Sequence, residues 1–123
     1  MKLLLLFAAG GLGTLLRYGI SSLVQRHAGL SFPWGTFAVN MIGCFLFGVL
    51  WSVFENRMDI SREIRAVVLV GFLGGFTTFS SFAFEGVGLL REGALLPALG
   101  HLVGQNVVGL LLVWLGLTVG RHG

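Results

Sequence analysis

The sequence predicts an all-α membrane protein with four transmembrane helices. Of its 123 residues, 55% are hydrophobic and only 11% are charged, whereas a soluble domain carries about 25% charged residues. Four apolar segments, residues 3–24, 34–54, 66–90 and 94–120, each reach the length of about 20 residues that a helix needs to cross a bilayer core. Strands of a membrane β-barrel are about half as long and alternate in polarity, which favours helices. We expect one domain, residues 1–123.

The first segment starts like a secretory signal peptide but has the length of a span. Lys2 precedes the apolar stretch, and Ala8-Ala9-Gly10 has the small residues of a cleavage site. Apolarity nevertheless continues to Val24, so we predict a retained helix.

Arg17 lies within this first segment, about 10 Å from its end by helix rise. Its side chain either extends to the interface or provides a buried positive charge that attracts anions or completes a polar junction.

The second and fourth segments carry amide side chains where a span is normally apolar. Asn40 lies in the second segment, and Gln105 and Asn106 lie at the centre of the fourth. An amide in lipid needs a partner on a neighbouring helix or in a water-filled path. His101 can titrate, form an ion pair or simply hydrogen-bond. The single Cys44 excludes an intramolecular disulfide and a cysteine-pair metal site.

The third segment contains the sequence "GGFTTFSSF" at residues 74–82. Two adjacent glycines weaken a helix, and hydroxyl side chains can bond main-chain groups that a break releases, so we predict a break near its middle. Released carbonyls are ligands for a small cation, and a new helix N-terminus favours anions. Phe76, Phe79 and Phe82 recur every three residues, which predicts a shared face. Their ring edges can accept an anion weakly, although core packing is the commoner role of such a face.

Several small residues recur at the spacing of closely packed membrane helices. The pairs Gly71 with Gly75, Gly100 with Gly104, and Gly116 with Gly120 predict tight helix contacts. A subunit with only four helices can hardly enclose a water path by itself. A path between subunits, and therefore a homo-oligomer, is the more economical arrangement.

The charged residues of the loops bear on orientation and on partners. The net charge of +3 is spread between apolar runs, so no basic patch for nucleic acid is visible. One side of the membrane would carry five loop cations and the other only two, which favours both termini inside. The five are Lys2, Arg57, Arg62, Arg65 and Arg121, and the two are Arg26 and Arg91.

Three motifs on three successive segments resemble the Fluc/CrcB family of fluoride channels. They are "GGLGTLLRYGIS" at 10–21, "FPWGTFAVNMIGCFLFG" at 32–48 and "GFLGGFTTFSSFAFE" at 71–85. The resemblance extends over essentially the whole chain, although the fourth segment matches weakly. It implies an antiparallel, dual-topology homodimer in a prokaryotic plasma membrane, with two fluoride pores built from both subunits. A dual-topology protein needs a loop charge bias close to zero, so this arrangement rests on the resemblance alone.

The resemblance also implies roles for individual residues. The pore phenylalanines would be Phe79 and Phe82, the pore amide Asn40, and the acidic residue near one pore end Glu85. Ser80 and Ser81 would lie on a polar track beside the rings, and Arg17 close to the central junction. A structural sodium ion, which is not transported, would be held by the main-chain carbonyls of Gly74 and Thr77 from both subunits.

These residues favour passive flow of fluoride out of the cell. Fluoride is small and strongly hydrated, so a pore must replace part of its hydration shell with donors. The sequence contains no phosphate-binding loop and no pair of buried carboxylates for proton-driven exchange.

Two alternative functions remain. Small four-helix multidrug exporters carry an acidic residue in the first span, where this chain has Arg17. A non-transporting assembly subunit would use the polar residues only to join helices. An enzyme is not indicated, because no nucleophile, base and orienting group fall together.

Overall fold

The computed structural model describes residues 1–122, and every regular element in that range is helical. Helix α1 is Lys2–Ala28 and α2 is Trp34–Glu55. The third span, Arg62–Arg91, follows, and helix α6, Leu95–His122, forms the fourth. All four are long and apolar enough to cross a membrane, which confirms the predicted number of spans.

The third span consists of several short pieces. Helix α3, Arg62–Ala66, leads into a π-helical segment, Val67–Phe72, and then into the single turn of α4, Leu73–Phe76. Helix α5, Phe79–Arg91, completes the span. Single π-helical turns inside membrane or soluble helices are rare and occur often at functional sites.

The helices extend beyond the apolar segments from which they were predicted. Helix α1 continues past residue 24 to Ala28, because the basic residues of its last turn interact favourably with the helix dipole, and Gly29 ends it with φ 95°. The third span begins at Arg62 rather than at residue 66. There Ser61 caps α3 by accepting a hydrogen bond from the Ile64 N–H at 3.1 Å.

Helices α2 and α6 pack with their main chains in close contact. A Cβ atom at Gly116 would overlap the carbonyl oxygen of Phe45, and one at Gly120 would lie 2.5 Å from the carbonyl oxygen of Val49. The Ser52 hydroxyl adds a hydrogen bond to the Leu117 carbonyl at 2.6 Å. The predicted tight contact at Gly116 and Gly120 is therefore confirmed, and it is the kind of contact that small residues allow in lipid.

Helix α1 packs in the same way on the first half of the third span. A Cβ atom at Gly75 would lie 2.5 Å from the carbonyl oxygen of Gly10, and one at Gly71 would lie 3.1 Å from the Ala9 Cβ. The predicted contact at Gly71 and Gly75 is confirmed. Gly13 of α1 makes the reciprocal approach, because a Cβ atom there would overlap the Phe72 carbonyl oxygen.

The third predicted glycine pair behaves differently. Gly100 and Gly104 of α6 face the rings of Phe32 and Phe37, and their Cβ positions lie 3.7 and 3.3 Å from ring carbons. At this pair the nearest atoms are those of aromatic side chains and not of a main chain. The predicted tight helix contact is therefore present at Gly104, against a side chain of α2, and absent at Gly100.

The contact between α2 and α6 predicts the cost of a small substitution. Gly116→Ala should lower the free energy of unfolding by about 1–3 kcal/mol, because a methyl group forced against a carbonyl must separate the helices. Denaturant unfolding in detergent micelles measures this free energy. Gly100→Ala in the same helix is the matched control, since its methyl would make an ordinary contact at 3.7 Å. Equal stability of the two variants would contradict the packing described.

Candidate functional site

The main chain of the third span leaves the helical conformation at two residues. Thr77 has φ −97° and ψ 162°, and Thr78 has φ −150° and ψ 119°, which are extended conformations. Helix α5 then starts at Phe79. Thr78 caps it, because its Oγ1 accepts a hydrogen bond from the Ser81 N–H at 3.2 Å.

Two of the main-chain carbonyls at this point have helical donors that bond to side chains instead. In a continuous helix the Thr78 N–H would donate to the Gly74 carbonyl, and the Ser81 N–H would donate to the Thr77 carbonyl. Instead the Thr78 N–H donates to the Asn40 Oδ1 at 2.9 Å, and the Ser81 N–H donates to the Thr78 hydroxyl oxygen. The carbonyls of Gly74 and Thr77 are thereby released from helical pairing.

Asn40 of α2 satisfies both main-chain groups of Thr78. Its Oδ1 accepts from the Thr78 N–H at 2.9 Å, and its Nδ2 donates to the Thr78 carbonyl at 3.0 Å. One side-chain amide thus takes the place of the two partners that the interrupted helix does not supply. Because one Thr78 group only donates and the other only accepts, the orientation of the Asn40 amide is unambiguous.

The same amide continues into a chain of hydrogen bonds on α6. The second Nδ2 hydrogen of Asn40 is donated to the Gln105 Oε1 at 2.8 Å. Gln105 Nε2 lies 3.3 Å from His101 Nδ1, and His101 Nε2 lies 2.9 Å from the Phe82 carbonyl oxygen. We call this series, from Thr78 to Phe82, the amide–imidazole chain. It answers the open question about these polar residues, because Asn40, Gln105 and His101 all find partners on neighbouring helices.

Asn106 is not part of the amide–imidazole chain. Its Nδ2 donates to the Leu102 carbonyl of its own helix at 2.6 Å, and the residue is exposed. His101 and Gln105 were recognised as polar residues in the sequence but had no assigned role. Their spacing of four residues, which places them on one helix face, was the only signal that linked them.

The aromatic residues divide at the extended segment. The rings of Phe79 and Phe82 lie 5.6 Å apart between centroids, with Phe79 78% exposed and Phe82 9% exposed. Phe76 lies on α4, before the interruption, and stacks on Phe72 at 6.1 Å with an interplanar angle of 11°. The prediction of a single face shared by all three phenylalanines was therefore wrong for Phe76, because the helix does not continue between residues 76 and 79.

A pocket of about 340 Å³ brings several predicted site residues together. Asn40, Thr77, Phe79 and Phe82 lie around it, and it also includes residues that were not predicted to share a site, namely Cys44, Phe47, Thr78, Gln105 and Asn106. The wall is largely aromatic and aliphatic, with a few amide and hydroxyl groups. This is the usual make-up of a binding pocket for a small ligand.

The other predicted residues lie around this pocket rather than in its wall. The Ser80 Oγ lies 3.4 Å from the Thr78 Oγ1, and Ser81 is in the first turn of α5. Glu85 lines a second pocket of about 520 Å³ together with Gln25, Ser31 and Glu92. The structure thus separates Glu85 from the aromatic pair by about one helix turn.

Arg17 contacts the third span beside the released carbonyls. Its Nε donates a hydrogen bond to the Gly75 carbonyl at 3.0 Å. In a continuous helix this carbonyl would accept from the Phe79 N–H, which is now at the start of α5. Of the two roles left open for Arg17, the structure favours the polar junction over extension of the side chain to the interface.

Gly43 is a site residue that sequence reasoning missed. A Cβ atom at Gly43 would overlap the Thr77 Cγ2. Gly43 lies three residues after Asn40 on α2. Because it has no side chain, it leaves room for the Thr77 methyl group to lie against this helix. No feature of the sequence marks this glycine, because the contact joins residues 34 positions apart.

Comparison with known proteins identifies the family. Residues 4–117 match the family described as "CrcB-like protein, Camphor Resistance (CrcB)". This chain belongs to the CrcB family. A relative from Nitrosococcus oceani, named "Fluoride-specific ion channel FluC", is 53% identical over 120 residues, which cover 98% of this chain and 96% of the relative.

Other members of the CrcB family carry the same name. One from Nitratidesulfovibrio vulgaris (strain Miyazaki F) is 52% identical over 98% of this chain and 97% of the relative, and one from Solidesulfovibrio magneticus is 48% identical over 98% and 96%. All three relatives are bacterial. Together with the four apolar spans, this family membership makes the chain a multi-pass protein of the bacterial inner membrane.

The pairing of Asn40 with Thr78 predicts a large stability effect. Asn40→Leu, a change of little volume, should lower the free energy of unfolding by at least about 2 kcal/mol, because leaving a buried main-chain group unsatisfied costs about 1–3 kcal/mol. Chemical unfolding in detergent measures it. Asn106→Leu removes an exposed amide that bonds only its own helix, and it should change stability by less than about 0.5 kcal/mol. The pairing would be refuted by equal losses in the two variants.

Proposed function

We propose that the chain forms a fluoride-selective passive channel, which lets fluoride leave the cell and so lowers its toxicity. The observation that carries this proposal is the pocket that holds Phe79 and Phe82 beside Asn40, in a chain whose relatives at up to 53% identity are named fluoride-specific ion channels. Because a bacterial interior is electrically negative, the membrane potential favours net movement of an anion outward through a passive pathway.

The pocket has the chemistry that a dehydrated small anion requires. The edges of the Phe79 and Phe82 rings carry partial positive charge, and the hydroxyls of Ser80 and Ser81, which lie outside the pocket wall, can donate hydrogen bonds along the pathway. Both amide hydrogens of Asn40 are engaged by the Thr78 carbonyl and Gln105. In this state Asn40 therefore forms part of the pore wall, while the rings and hydroxyls contact the ion. Glu85 lies near one end of the pathway.

An antiparallel homodimer would complete the pore. In a single subunit Phe79 is 78% exposed although it lies on the pocket wall. A pathway for an ion must be closed off from lipid by protein, because lipid offers the ion no hydrogen-bond partner. A second copy of the chain, inserted with opposite topology, would enclose the pocket and provide two pores per dimer.

The released carbonyls fit a structural sodium ion at the dimer centre. Carbonyl oxygens are suitable ligands for a small hard cation, and those of Gly74 and Thr77 are the two whose helical donors are diverted. A Cβ atom at Gly74 would have no neighbour within 4 Å, so the space beside this residue is open. Two carbonyls from each subunit would supply four oxygen ligands. When bound, the ion would offset the partial negative charge that these carbonyls place inside the membrane.

Fluoride release from liposomes tests the channel. With purified protein and a potassium ionophore, we expect rapid release of fluoride and none of chloride, read with ion-selective electrodes. Phe82→Leu and Phe79→Leu should each slow fluoride release by up to about tenfold, because an aromatic edge contact is worth up to about 1.5 kcal/mol and about 1.4 kcal/mol is tenfold in rate. Phe7→Leu, at a position of α1 that is 83% exposed and outside the pocket, is the matched control. If a folded dimer released neither ion, the assembly-subunit alternative would be favoured.

Sodium replacement tests the structural cation. When sodium is replaced by N-methyl-D-glucamine throughout purification and reconstitution, we expect fluoride release to be lost and to return after sodium is added back. The reason is that a large organic cation cannot fit between main-chain carbonyls. Undiminished release after complete replacement would remove the sodium ion from the account and would leave the channel itself untouched.

A further inference from the structure

We propose that His101 and Gln105 are positioning residues for the pore, and that the amide–imidazole chain aims Asn40 and holds the Phe82 main chain in a single arrangement. This inference rests on the proposed function, because it assigns Asn40 and Phe82 to the pore wall. Neither His101 nor Gln105 needs to contact the ion for this role. They contribute by determining which atom donates and which accepts in each hydrogen bond of the amide–imidazole chain.

The direction of the hydrogen bonds in the amide–imidazole chain is determined from both of its ends. At one end, the bidentate pairing with Thr78 leaves Asn40 one Nδ2 hydrogen, so the atom that Gln105 presents must be its oxygen. At the other end, the Phe82 carbonyl can only accept, so His101 Nε2 must carry a proton. A neutral imidazole protonated at Nε2 accepts at Nδ1, which is where Gln105 Nε2 donates. The two ends therefore agree, with no mismatched group between them.

Burial makes this arrangement costly to break. His101 is 0% exposed and Gln105 is 7% exposed. A buried polar network that is fully satisfied favours one conformation, and the loss of one member leaves its neighbours unsatisfied. The His101 ring also lies against the Phe82 ring, with centroids 4.8 Å apart and planes tilted by 39°. The side chain thus contacts both the main chain and the ring of Phe82.

The amide–imidazole chain connects the extended segment to the first turns of α5 by way of two other spans. Thr78 lies at the N-cap of α5 and Phe82 lies one turn into that helix, while Asn40 is on α2 and His101 and Gln105 are on α6. Side chains of α2 and α6 and main-chain groups of the third span therefore join three spans. If Gln105 is removed, one Nδ2 hydrogen of Asn40 loses its partner and becomes available to the pocket. The set of donors that faces the ion then changes, and so should selectivity.

Fluoride and chloride release from liposomes separates a positioning role from a bystander role. Gln105→Met and His101→Leu should slow fluoride release by about tenfold or more and should lower the ratio of fluoride to chloride release. His101→Gln supplies an amide group that can donate to the Phe82 carbonyl and a carbonyl oxygen that can accept from Gln105, so it should restore release to within about threefold of the unsubstituted protein. Thr118→Val is the control, since Thr118 is exposed on the same helix and bonds only the Trp114 carbonyl of that helix.

The tautomer of His101 provides a readout that does not depend on transport. In nitrogen-15 NMR of the detergent-solubilised protein, with the His101 signal assigned from its loss in His101→Gln, we expect the tautomer protonated at Nε2. Gln105→Met should shift the Nδ1 resonance, because that nitrogen loses its donor.

Each outcome has a distinct meaning. A conducting protein whose Gln105→Met and His101→Leu variants keep full rate and selectivity would overturn the positioning role and leave the proposed function intact. The tautomer protonated at Nδ1 would also overturn it, even in a variant or preparation that carries no fluoride. A protein that shows the expected tautomer but releases no fluoride would instead contradict the proposed function. Failure of His101→Gln to restore release, in a folded protein, would contradict the argument from donor direction.

Discussion

The structure depends on the requirement that main-chain groups inside a membrane find hydrogen-bond partners within the protein. Lipid supplies no donor or acceptor, so an extended residue in the middle of a span is tolerated only where side chains replace the missing helical bonds. Asn40 meets this requirement for Thr78 with two bonds of 2.9 and 3.0 Å. As a consequence, the carbonyls of Gly74 and Thr77 are released, a second helix N-terminus is created at Phe79, and Phe79 and Phe82 are separated from Phe76.

Close main-chain contacts bring the partners of this site within reach. Gly116 lets α6 approach α2, which places Gln105 of α6 against Asn40 of α2. Gly75 lets α1 approach the third span, which places Arg17 against the Gly75 carbonyl. Small residues thus determine the geometry, while the polar side chains determine which main-chain groups are satisfied. The π-helical segment just before α4 adds a local change of helix register ahead of the extended residues.

The sequence predicted those features that local composition controls. Apolar length predicted the four spans, and the glycines and hydroxyls of residues 74–82 predicted a weakened third span with amides nearby in need of partners. Pairing between distant residues was not predictable in this way. Nothing local links Asn40 to Thr78, Gly43 to the Thr77 methyl, or His101 to the Phe82 carbonyl, since each pair is joined by packing. The three-residue spacing of Phe76, Phe79 and Phe82 was misleading because it assumed a helix that does not continue through residues 77 and 78.

The most direct test of this account is the backbone conformation and hydrogen exchange of Thr78, measured by NMR on the protein in lipid bilayers. The account predicts extended carbon chemical shifts at Thr77 and Thr78 between helical values on both sides, with a slowly exchanging Thr78 N–H that becomes fast when Asn40 is replaced by Leu. Helical shifts through both threonines, or a Thr78 N–H whose exchange is indifferent to Asn40, would contradict it.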